Sequence, residues 1–114
     1  MNRSTRPIGW VRAARKAFAD FPADVQEDMA YAIAAAGGKA DIAKPMKGLG
    51  SGVMEIALPY RDDAYRAVYV TEIAGSSWVV HAFQKKSKSG IQTPKHEIDL
   101  IRDRIRHLRA ELSR

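Results

Sequence analysis

Residues 65–86 read YRAVYVTEIAGSSWVVHAFQKK, and the way that stretch divides decides the fold. Its β-branched and aromatic residues fall into two runs, 65–74 and 78–86, separated by Gly75, Ser76 and Ser77. Two such runs joined by a tight Gly/Ser turn make an antiparallel hairpin. Upstream, Met54, Ile56 and Leu58 alternate with Glu55 and Ala57, the period of two that marks a half-buried strand. PYRDDA at 59–64, with a proline and paired aspartates, supplies the turn between them. The three strands form an antiparallel meander.

Helices flank the meander. In RAARKAFADF, residues 12–21, Ala13, Ala17, Phe18 and Phe21 fall at helical spacing and leave Arg12, Arg15 and Lys16 outside. Pro22 opens a second helix with an acidic first turn; Val25, Met29, Ile33 and Ala36 lie near one face, and Gly37 stops it. Thr93 is placed to cap a third helix that starts at Pro94, with Ile98, Ile101, Ile105, Leu108 and Leu112 as its apolar stripe. RPIGWV at 6–11 reads as an edge strand. KADIAKPMKGLGSG at 39–52, broken by Pro45 and glycines, reads as a loop. The predicted class is α+β, with helices packed on one antiparallel sheet, and 114 residues make a single domain, 1–114.

Composition narrows the chemistry. A chain with 46% hydrophobic and 28% charged residues is an ordinary globular protein. It has no cysteine, so disulfides, thiolate ligands and cysteine nucleophiles are excluded. No apolar run approaches the roughly 20 residues of a membrane span, and the basic N-terminus lacks a signal-peptide core, so the expectation is a soluble, cytoplasmic chain without membrane contact. GLGSG at 48–52 leads into a strand and not into a helix, so it is no phosphate loop. His81, His96 and His107 lack the spacing of a metal site, and no serine sits in a nucleophile elbow. No cofactor and no metal are expected.

The net charge of +6 is unevenly spread. Residues 1–19 hold five arginines and lysines and no acid, 20–43 are acidic, and 85–96 carry Lys85, Lys86, Lys88 and Lys95 with no acid before Glu97. Such a basic region suits a phosphate backbone, or serves only to keep a surface soluble. Meander topology brings Arg66, early in the second strand, toward Lys85 and Lys86 at the end of the third. Arg66 shares the parity of Val68 and Val70, which places a cation on an apolar face; it pairs there with a carboxylate such as Glu55, or it serves a ligand.

The ordered segments KPMKGLGSGVMEI, YRAVYV and HAFQKKSKSGIQTPKHEIDLIRDR, within residues 6–113, resemble the HigB-like, phage-derived branch of the RelE/ParE toxin superfamily. The resemblance implies a small basic α+β toxin with two N-terminal helices beside a twisted antiparallel sheet and a further C-terminal helix. It implies cleavage of mRNA, commonly on the ribosome, in RelE-type and HigB-type members, and poisoning of DNA gyrase in ParE-type members. The partner it implies is a cognate antitoxin with a helix-turn-helix DNA-binding domain. By the same likeness Arg66 clamps the scissile phosphate, one of Lys85 and Lys86 stabilises the transition state while the other tracks the backbone, and Lys44 and Lys47 position RNA, with Lys88 and Lys95 further along. His81 is a candidate general base because imidazole titrates near neutrality, or a hydrogen-bonded core residue. The chain lacks a tyrosine after the basic strand end and an Asp-Tyr-His ending. A module that binds protein or nucleic acid without catalysis is the reading from another class.

Overall fold

The computed structural model describes residues 8–36, 43–86 and 93–113. In chain order the elements are β1 (Ile8–Trp10), α1 (Arg12–Ala19), α2 (Ala23–Ala36), β2 (Ala43–Pro45), β3 (Val53–Tyr60), β4 (Asp63–Ile73), β5 (Ser76–Lys86) and α3 (Lys95–Leu112). The strands form one sheet in the order β1-β5-β4-β3-β2, with β1 parallel to β5 and every other pair antiparallel. The predicted meander is its centre, and RPIGWV supplies the edge strand β1.

The turns are tighter than their composition suggests. Tyr60 pairs with Asp63, so only Arg61 and Asp62 of PYRDDA lie between strands, and Arg61 takes a left-handed φ of 58°. The next turn falls one step earlier than Gly75-Ser76-Ser77. Ala74 and Gly75 both have positive φ, 53° and 84°, the backbone that matches strand twist in a two-residue hairpin, and the serines belong to β5. A third difference is β2. The segment read as loop contributes a short strand that pairs with Met54–Ile56 before its glycines break the pattern.

Helices cover both faces of the sheet, where the sequence expectation was helices against one sheet without a division of faces. α1, α2 and the turn between them bury Ala14, Phe21, Val25, Met29, Ala32 and Ile33 against Ile56, Tyr65, Ala67 and Tyr69. Within α1 it is Ala14 that is buried, while Ala13 faces solvent. On the opposite face α3 buries Ile101 and Ile105 against Val53, Val68, Val70, Val80 and Phe83. Alternation along β4 thus feeds two cores. Along β5 the alternation is broken by a register shift, His81 pairing with Val68 but Val79 with Tyr69. This bulge sends Val79 to the α1/α2 core and His81 to the α3 face, so the two do not share a side.

Gly52, just before β3, has φ +81°, and a Cβ there would lie 2.8 Å from the Thr71 hydroxyl oxygen. Gly52→Ala is expected to cost about 1–2 kcal/mol, measured by urea denaturation, because the left-handed backbone disfavours any Cβ even if Thr71 rotates away.

Candidate active site

The α3 face of the sheet carries three polar rows. In the first, Lys44 of β2 pairs with Glu55 of β3, Glu55 with Val68 of β4, and Val68 with His81 of β5. The second runs Ala57, Arg66, Phe83, and the third Pro59, Ala64, Lys85. Strand spacing of about 4.8 Å and the two-residue repeat therefore bring Glu55, Arg66, His81 and Lys85 onto one small floor. Lys85 is only 5% exposed and His81 6%.

Arg66 meets the partner that the sequence offered as the alternative to a ligand. Its Nη1 donates to Glu55 Oε1 at 3.0 Å, with the two side chains 12% and 15% exposed. The other carboxylate oxygen of Glu55 accepts from the Thr93 hydroxyl at 3.2 Å. Thr93, before Pro94, has the sequence context of a helix cap. The structure places Pro94 at the N-cap without a side-chain hydrogen bond, and the Thr93 hydroxyl instead ties the approach to α3 to the sheet.

His81 sits between two charges of α3. Its Nε2 lies 2.5 Å from Glu97 Oε1, and Arg104 Nη1 lies 3.1 Å from its Nδ1. Arg104 can only donate, so Nδ1 is the acceptor and the proton sits on Nε2, facing the carboxylate. Arg104 Nη1 also donates to the Val80 carbonyl at 2.9 Å, and the imidazole stacks on Phe83 with centroids 4.8 Å apart. The result is a clasp holding α3 to β5. Burial draws His81 below its ordinary value of 6.5, opposed by Glu97 and aided by the nearby Arg104 and His96. Burial also lowers Arg104, with Glu97 opposing.

This clasp has a pH signature. Below 6.5 the unfolded chain takes up a proton that folded His81 resists, so His81 stabilises the fold above 6.5 and that stability is lost as pH falls through its lowered folded value. Denaturant unfolding between pH 7.5 and 5.5 should show stability falling with acid, and His81→Asn should flatten the slope.

The remaining residues anticipated from the sequence are placed as follows. Lys44 is exposed at the end of the Glu55 row. Lys47 is exposed in the loop after β2. Lys95 is in solvent and reaches Asp99 at 2.9 Å. The backbone of Lys86 pairs with Asp63, and Lys88 lies outside the described residues. Glu97 and Arg104 were not anticipated; their seven-residue spacing, two turns of helix beside the isoleucine stripe, was the available signal. Among the described residues no group of three or more His, Asp or Glu side chains is arranged to hold a metal ion. No described helix is long and apolar enough to cross a membrane.

No curated protein matches the chain. Among solved structures, the isolated E. coli RelE toxin superposes with a TM-score of 0.54 at 14% identity, over 86% of this chain and 98% of that one. That likeness establishes the fold. Residues 16–106 match the family described as "Phage derived protein Gp49-like". With residues 16–106, most of its length, inside that match, the chain belongs to the phage-derived Gp49-like family, and its elements are arranged in the RelE fold.

Proposed function

We propose that the protein is the toxin of a type II toxin–antitoxin pair and acts as a metal-independent endoribonuclease on mRNA held in the ribosome. The observation that carries this reading is the placement of Arg66 and Lys85 together on one largely buried floor, where Arg66 already holds a carboxylate oxygen in the way it would hold a phosphate oxygen. RNA cleavage without a metal needs in-line attack of a 2′-hydroxyl on its phosphate and stabilisation of the negative charge that develops. The planar fork of Arg66 suits two phosphate oxygens, and the ammonium of Lys85 adds a point charge beside it. Lys86 follows the backbone. Lys44, Lys47, Lys88 and Lys95 hold flanking phosphates.

His81 takes a different part from the proton transfer its residue type suggested. With its acceptor nitrogen turned to Arg104 and its N–H to Glu97, it positions the end of β5, and so Lys85, against α3. The antitoxin partner carries a helix-turn-helix domain. Expression without it should arrest growth, and incubation with translating ribosomes should produce new mRNA 5′ ends. Intact message together with a plasmid left relaxed in a gyrase assay would instead make the protein a gyrase inhibitor; no effect in either assay would make it a binding module.

A further inference from the structure

We propose that Glu55 is the general base of the cleavage, an inference that rests on the endoribonuclease reading above. The reaction needs an acceptor for the 2′-hydroxyl proton within reach of the phosphate held by Arg66. Three described side chains on the floor could serve: His81, Glu97 and Glu55. The one acceptor nitrogen of neutral His81 is already engaged by Arg104. Glu97 is turned to histidines, with Oε1 on His81 and Oε2 3.5 Å from His96. Of these three described side chains, Glu55 is the one seen against the phosphate clamp, at 3.0 Å from Arg66 Nη1.

That contact gives Glu55 two states. In the resting protein its carboxylate occupies the guanidinium as a phosphate would, steadied by the Thr93 hydroxyl. When a phosphate takes the fork of Arg66, the displaced Oε1 stays next to the clamp with a lone pair open. A 2′-oxygen poised about 3–3.5 Å from its phosphorus then falls within hydrogen-bond reach of that oxygen. Glu55 takes the 2′-hydroxyl proton, the 2′-oxygen bonds to phosphorus, and the bond from phosphorus to the 5′-oxygen breaks with its electron pair on that oxygen. The 5′-oxygen takes a proton from water, and the hydroxide left behind is neutralised by protonated Glu55. The products are a 2′,3′-cyclic phosphate and a 5′-hydroxyl.

Glu55→Gln separates a base from a counter-ion, since the amide oxygen still accepts from Arg66 but takes no proton. Cleavage should fall about 10²- to 10⁴-fold, the acidic limb of the rate–pH profile should vanish, and binding of a 2′-deoxy-substituted oligonucleotide should stay within a few fold. Glu55→Asp should keep the acidic limb at reduced rate, which serves as the readout if the glutamine variant does not fold. Undiminished or faster cleavage by Glu55→Gln would reduce Glu55 to the resting partner of Arg66. A wild-type protein that cuts no RNA would instead remove the endoribonuclease reading, and the proposal with it.

Discussion

Cells expressing the double variant Arg66→Gln, Lys85→Met should grow through induction that arrests cells carrying the parent protein, and mRNA cutting should fall at least about 10³-fold. The magnitude follows from what one preorganised donor is worth at a developing oxyanion, about 10²–10³ in rate, with two removed from the same floor. The two effects will not simply multiply, because the side chains share one surface and one substrate group. The choice of substitutions matters. Arg66→Ala would leave the Glu55 carboxylate without its cation in a site only 15% exposed, a change that destabilises such pairs by about 3–5 kcal/mol. Glutamine retains a donor toward Glu55, and methionine retains most of the apolar stem of Lys85. A melting temperature near that of the parent would assign the loss to chemistry, and undiminished toxicity would move the site elsewhere.

A large effect on stability is also expected at Ile101. It is fully buried in the core between α3 and the sheet, in a cluster with Val68, Val70, Val80 and Phe83. Ile101→Ala should cost about 2–5 kcal/mol, since it removes buried methyl groups and leaves a cavity that the rigid sheet cannot close. Leu100, one residue away but 37% exposed, provides the control: Leu100→Ala should stay within about 0.5 kcal/mol. Ile101 also seats the helix that carries Glu97 and Arg104. Its loss should therefore weaken the His81 clasp and reduce the pH dependence of stability, as well as lower the melting point.

What the sequence disclosed follows from which signals are local. The hairpin at 65–86 was readable because strand alternation and turn residues act within a few positions, and α2 because its stripe and its acidic first turn agree. β2 was hidden because Pro45 and the following glycines set the local signal, while its pairing with β3 is a long-range contact. One extra residue in β5 put Val79 on the face opposite His81 and Phe83, three positions that strict parity groups together. In the candidate site, the parity of Arg66 correctly placed it with Val68, and meander topology brought Lys85 near. The clasp was not readable, because Glu97 and Arg104 resemble ordinary solvent-facing residues of a charged helix until the packing of α3 turns them inward. Thr93 misled for a related reason: a threonine before a proline fits a helix cap, and only the nearness of Glu55 shows its actual partner.

The chemistry of the cut ends tests the central claim most directly. mRNA recovered from translating ribosomes treated with the purified protein should carry 5′-hydroxyl and 2′,3′-cyclic phosphate termini, the products of attack by the neighbouring 2′-oxygen at Arg66 and Lys85. The double variant should leave the message whole. Ends bearing 5′-phosphate, which mark attack by water, or equal cutting by the double variant, would contradict the account.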